Sequence, residues 1–143
     1  MKVLAVSISE RKGIKKHPVE YIELIEDYGI DGDAHAGKWH RQVSLLGVES
    51  MEVMKEKLPE LSAGDFAENI LTEGIVLYKL PIGTILKVGE CILEVTQIGK
   101  ECHLGCEIRH IVGDCVMPRE GIFTKVIKGG KIKAEDKIEI VEK

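Results

Sequence analysis

The chain has 143 residues, with 20 Lys plus Arg against 24 Asp plus Glu and a formal charge of -4; this fits one domain spanning 1–143 and gives no electrostatic footprint for nucleic acid. Hydrophobic residues make up 44% and aromatic residues 4%, enough for an aliphatic core but too few rings for a base-stacking platform. No stretch approaches the ~20 apolar residues that span a bilayer, and the apolar start is closed by Glu10, Arg11 and Lys12 before any small-residue cleavage site, so the expectation is a soluble, cytoplasmic protein with neither membrane nor nucleic acid as partner.

Residues 3–9 alternate with both faces mostly apolar, the pattern of a buried strand. A basic loop follows over 11–18, carrying Arg11, Lys12, Lys15 and Lys16 together with the breakers Gly13 and Pro18; it has the charge to hold an anion, although such lysines are more commonly solvated. Residues 19–28 suit a short amphipathic helix and an irregular strand equally. The glycines and short polar residues of 29–37 make a loop, after which 40–46 resume as a strand. Good helix formers fill 49–58, with Met51, Met54 and Leu58 on one face and Pro59 behind them. From 70 onward the pattern turns to short strands at 75–80, 84–88, 91–98, 122–127, 132–134 and 137–141, a spacing that fits a barrel or a sandwich. Gly129-Gly130 carries the signal of a two-residue hairpin, whose type I′ turn needs positive φ at both positions; Gly89-Glu90 is a weaker turn. The whole reads as one mainly β domain with minor helix.

Four cysteines stand at 91, 102, 106 and 115, and in a chain without a secretion signal they point to metal ligands or reactive thiols rather than disulfides. Cys91 shares a strand face with Leu93 and Val95, so packing alone explains it. Cys102 follows a strand end and Gly99, with Lys100 and His103 beside it. Nearby cations favour the thiolate that a nucleophile, a persulfide carrier or a soft-metal ligand requires; a loop cysteine with incidental neighbours is the alternative. Cys102, Cys106, His110 and Cys115 have the chemistry for zinc, but their spacing matches neither a ribbon nor a finger. Asp33, His35, His40 and Arg41, with Gln42 and Ser44, gather groups that either bind a polar ligand or simply order the turn.

Taken together, Gly32-Asp33-Ala34-His35-Ala36-Gly37, His40-Arg41-Gln42-Val43-Ser44, Phe66-Ala67-Glu68-Asn69-Ile70 and Leu80-Pro81-Ile82-Gly83-Thr84 resemble the MOSC domain family. Thr96-Gln97-Ile98-Gly99-Lys100-Glu101-Cys102-His103, Gly113-Asp114-Cys115-Val116-Met117-Pro118, Glu120-Gly121-Ile122-Phe123 and Gly129-Gly130 continue the likeness in order, in the manner of its small stand-alone prokaryotic members. One departure is Ala134-Glu135-Asp136, where the family usually has Gly before Asp, which puts a hairpin in doubt.

The resemblance implies a closed β-barrel, MOSC-type and pyruvate-kinase-barrel-like, with a few short helices. It implies molybdenum cofactor chemistry, with Cys102 as the molybdenum ligand or the bearer of sulfane sulfur, and with Lys100 and His103 tuning its ionisation. Cys106 and Cys115 are then the candidate resolving thiols. Lys12, Lys15, Lys16, Asp33, His35, Arg41, Asn69 and Gly99 are the expected cofactor-binding residues for molybdopterin and its phosphate. The partners implied are a pyridoxal-phosphate cysteine desulfurase or molybdenum cofactor enzymes, and an electron-donor protein if the chemistry is reductive. The contrasting reading is a non-catalytic module that holds molybdopterin, or zinc, for delivery.

Overall fold

The structure is a computed structural model that describes residues 1–11, 15–56, 59–99 and 120–142. In chain order its elements are β1 (Lys2–Ile8), β2 (His17–Val19), β3 (Tyr21–Ile25), β4 (Gly29–Ile30), β5 (Val43–Gly47), α1 (Val48–Lys55), β6 (Ile70–Glu73), a 3-10 turn (Leu77–Lys79), β7 (Ile85–Val88), β8 (Cys91–Ile98), β9 (Ile122–Lys128), β10 (Gly130–Lys133) and β11 (Ile138–Glu142). Eight strands form one sheet in the order β11-β7-β8-β9-β5-β6-β1-β2, and β10-β3-β4 form a second. Apart from the parallel pair β5 and β6, the ladders are antiparallel.

Alternation fixes the packing. β5 is buried along its whole length, Leu45 facing the main core with Val3, Ile70, Leu93 and Ile122, and Leu46 facing a second cluster with Met51, Met54, Phe66 and Phe123. α1 lies over that second cluster, ending at Lys55 before the predicted stop at Pro59. The undecided stretch 19–28 is strand over Tyr21–Ile25 and turn after it: β3 alternates exposed and buried residues, with Ile22 and Leu24 inward.

Three expectations are corrected, and one strand is added. Among the described residues the sheet is not closed into a barrel. Its edge strands β2 and β11 do not pair, β2 being three residues long and carrying Pro18, which lacks an N–H for a ladder. Curvature still brings β1 to the segment before β11, through the bridge Lys2–Lys137 and the bonds from Val3 N to Asp136 O and Glu135 N to Val3 O, both 2.8 Å. Residues 75–80 are not a strand: Ile75 and Leu77 are buried and Val76 and Tyr78 exposed as in one, but Leu77–Lys79 close a 3-10 turn, with Leu80 N donating to Leu77 O at 3.0 Å. β6, ahead of it, is a strand that the sequence reading leaves out. Gly129-Gly130 is no hairpin, because β9 lies between β8 and β5 whereas β10 joins β3 in the other sheet. The pair carries the chain between sheets, and a Cβ on Gly129 would run into the Leu24 carbonyl oxygen.

Glu135 takes the positive φ that glycine usually supplies, at +77°, and its carboxylate meets Lys2 Nζ at 3.0 Å. The connection there also passes between sheets, so it is not a hairpin. The weaker turn does form: Gly89-Glu90 joins β7 to β8, with Val88 opposite Cys91.

Candidate functional site

Two polar assemblies lie side by side where the loops after β1 and β4 meet the end of β8. The first is a buried knot. Lys16 Nζ meets Asp33 Oδ1 at 2.8 Å, Ser9 Oγ at 3.0 Å and His35 Nδ1 at 3.0 Å. An ammonium has three donors and no acceptor, so His35 Nδ1 accepts and the proton of the neutral ring sits on Nε2. Asp33 Oδ1 also accepts Ser9 N at 3.0 Å, and Oδ2 accepts His35 N at 3.1 Å. The side chains of Lys16 and Asp33 are wholly shielded from solvent.

The knot rests on the loop before β6. Lys16 N donates to Gly64 O at 2.9 Å, and Gly64, at φ +90°, has no room for a Cβ beneath the Lys16 carbonyl. Glu68 holds that loop from below, accepting Gly64 N at 2.6 Å and Phe66 N at 3.2 Å. Burial pushes the Glu68 carboxyl up to about 7 despite these backbone bonds, which favour the charged form.

The second assembly is a half-open shelf. The Trp39 indole donates to His35 O at 2.7 Å and lies nearly parallel to the His35 ring, centroids 6.2 Å apart, while the His40 ring meets it edge-on at 5.8 Å. The Arg41 guanidinium sits 5.3 Å from the Phe123 ring centre and 6.0 Å from that of Trp39, within cation–π reach. Gln97 binds this shelf to β8: its Oε1 accepts from Arg41 Nε at 3.0 Å and from His40 Nε2 at 2.8 Å, and its Nε2 donates to Gly99 O at 2.7 Å. The Thr96 hydroxyl faces the carbonyls of His40 and Phe123. The two Nη groups of Arg41 make no hydrogen bond among the described residues.

Chain direction adds a further link. β8 ends beside the shelf, and Gly99 N donates to Gly121 O at 2.7 Å, so the outgoing and returning strands of chain meet there. Lys100, Cys102, His103, Cys106 and Cys115 fall between these glycines in sequence and lie outside the described residues, as do His110 of the zinc reading and Lys12.

The remaining expected residues separate by environment. Lys15 is exposed. Lys16 and Asp33, expected to face a cofactor, instead face each other. Asn69 is buried and knits three strands: its Nδ2 donates to Ser7 O at 3.1 Å and its Oδ1 accepts Ser44 N at 3.0 Å. Burial raises the Cys91 thiol to about 11, which keeps it a packing residue. His35 joins knot to shelf, Arg41 belongs to the shelf, and Gly99 closes it. Trp39 and Gln97 escaped the list of expected site residues; the signals were the lone tryptophan and the Thr96-Gln97 pair at a strand end. Among the described residues no group of three His, Cys, Asp or Glu side chains is placed to share a metal ion. No described helix is long and apolar enough to cross a membrane.

The fold has close structural likenesses. The YuaD protein of Bacillus subtilis matches with a TM-score of 0.80 at 18% identity, covering 96% of this chain and 93% of that one. YiiM of Geobacillus stearothermophilus gives 0.75 at 18% identity, over 99% of this chain and 75% of that one, and YiiM of Escherichia coli gives 0.70 at 21% identity, over 100% and 71%. At these identities the likeness speaks for the fold alone. No curated protein matches the sequence. The MOSC domain model matches residues 32–139, a span that takes in Asp33 and His35 of the knot, the shelf and the chain from β5 to the start of β11. The chain therefore belongs to the MOSC domain family, whose members are linked to molybdenum cofactor function.

Proposed function

We propose that this protein binds the molybdenum cofactor, with Cys102 as the thiolate that ligates molybdenum or carries sulfane sulfur for cofactor sulfuration. The observation that supports this most is the arrangement of Arg41: its Nε is held, its Nη groups are unengaged among the described residues, and it lies against the strand end from which the chain runs to Cys102. A fork of that kind fits a phosphate, such as the one on molybdopterin. Lys16, Asp33 and Asn69 do not fit that role, since their polar atoms are engaged within the protein.

Arg41 would hold the phosphate, Trp39 would offer an apolar face to the pterin, and Lys15 would add positive charge from the N-terminal loop. When bound, the cofactor supplies a redox-active metal held by soft sulfur ligands, to which a cysteine thiolate is chemically matched. In the sulfur-carrying mode the Cys102 thiolate attacks the terminal sulfur of a donor persulfide. The donor's S–S bond breaks, the donor leaves as a thiolate, and Cys102 becomes the persulfide, with no outside oxidant. A pyridoxal-phosphate cysteine desulfurase is the class of donor this step calls for, and Cys106 or Cys115 would release the sulfur by thiol exchange.

The test is the Cys102→Ala variant, purified from a host that makes the cofactor. It should keep the wild-type melting temperature and lose both bound molybdenum and added sulfur. A variant loaded as fully as the wild type would overturn the assignment.

A further inference from the structure

We infer that Gln97 is a positioning residue that turns Arg41 into a fixed oxyanion receptor; this rests on the cofactor-binding reading for the identity of the anion, and not for its existence. An exposed arginine samples many rotamers, and much of the free energy of anion binding is lost in ordering it. Here that ordering is built in. Gln97 Oε1 takes the Nε–H of Arg41 at 3.0 Å, and among the described residues both Nη groups stay without a hydrogen-bond partner. The guanidinium plane is confined by the rings of Phe123 and Trp39 at 5.3 and 6.0 Å.

Gln97 is itself immobilised. The same Oε1 accepts His40 Nε2 at 2.8 Å, and its amide nitrogen is anchored on Gly99 O at 2.7 Å, so the side chain cannot turn away without breaking three bonds. The choice of a neutral acceptor matters. A carboxylate at 97 would hold Arg41 as well but would cancel its charge, whereas an amide orients the cation and leaves the charge for a ligand. The neighbouring buried lysine of the knot is already balanced by Asp33 at 2.8 Å, and among the described residues no carboxylate forms an ion pair with Arg41. The ligand class is a phosphate-like oxyanion, either the phosphate monoester of a bound cofactor or a free inorganic oxyanion.

The experiment titrates inorganic phosphate, at constant ionic strength, into the full-length 15N-labelled protein and follows the backbone amides of 39–41 and 97–99 together with the Arg41 Nε–H signal. The wild type should show a protected Nε–H signal that shifts on saturation. Gln97→Met should lose that signal and bind about tenfold more weakly, the scale of an arginine's rotamer freedom. Gln97→Glu should restore the Nε–H signal without restoring affinity. Arg41→Ala should abolish binding at the shelf, and the double variant with Gln97→Met should be no weaker than Arg41→Ala alone. Unchanged affinity in Gln97→Met, or losses that add in the double variant, would overturn the inference. So would a wild type without the protected signal, a readout that holds even if Gln97→Met fails to fold. Mass analysis of protein from a cofactor-making host separates the two anion sources. A pterin lost in both Arg41→Ala and Gln97→Met identifies the cofactor's phosphate. Gln97-dependent phosphate binding in a protein that carries no pterin keeps this inference, with a free oxyanion as ligand, and removes the cofactor reading.

Discussion

The knot around Lys16 and the shelf around Arg41 contain similar residues and lie next to each other, yet they do opposite things with their charge. In the knot every donor of Lys16 has an acceptor inside the protein, and the ion pair with Asp33 at 2.8 Å is sealed from solvent. Such a pair fixes one arrangement of its loops and gains little net stability over apolar packing, but removing one partner leaves a bare charge in a low-dielectric interior. In the shelf, Arg41 is held by one nitrogen, and among the described residues the other two have no hydrogen-bond partner. A basic residue near a family motif is thus a ligand contact only if the fold leaves its donors unengaged. The knot shapes the loop that carries the shelf, and the shelf meets the ligand.

The widest separation between the two regions should come from Asp33→Ala, which strands the Lys16 ammonium. A loss of about 3–5 kcal/mol is expected in denaturant-unfolding experiments, and a loss below about 1 kcal/mol would mean the knot behaves like a surface pair.

The support beneath the knot should show in a pH dependence. Glu68 is raised in the folded state to about 7 from 4.5, so the unfolded chain releases its proton first. Stability from this group is whole below pH 4.5, falls as the pH climbs toward 7 and is flat above it, a total of about 3 kcal/mol at 1.36 kcal/mol per unit. Denaturation midpoints at pH 5 and pH 8 would measure it, and Glu68→Gln should remove most of the slope; an unaltered slope in that variant would assign it to other groups.

Next in size is Gly64→Ala. Its positive φ and its contact with the Lys16 carbonyl make about 1–3 kcal/mol of strain the expected loss in a thermal melt. A neutral result would show that the loop can move off Lys16.

The smallest effect on stability belongs to the shelf. Arg41→Ala should unfold within about 0.5 kcal/mol of the wild type while losing oxyanion binding. A large destabilisation there would erase the contrast between the regions.

Much of the fold was legible because side-chain period reports burial directly. β8 was read with its observed bounds of Cys91–Ile98, and β7, β9 and β11 to within a residue or two. What escaped was non-local. Gly129-Gly130 has the composition of a hairpin, and only the pairing of β10 with β3 reveals that close backbone approach to Leu24 is what requires glycine. Barrel closure likewise depends on whether a short edge strand bearing Pro18 meets β11, which no local pattern encodes. At the site, His35 and Arg41 were recognisable as polar residues on a glycine loop. Sequence could not tell that Lys16 turns inward to Asp33 while Arg41 does not, because the difference lies in partners 17 and 56 residues away, respectively Asp33 and Gln97.

Whether the shelf, rather than the knot, holds the cofactor is read by elemental analysis with native mass spectrometry. Wild type and Arg41→Ala would be purified side by side from a molybdate-replete host that makes the cofactor. Stoichiometric molybdenum with a pterin-sized mass is expected on the wild type, and its loss from an Arg41→Ala protein that melts normally. A wild type that carries no pterin, or an Arg41→Ala protein as fully loaded as the wild type, would contradict that placement.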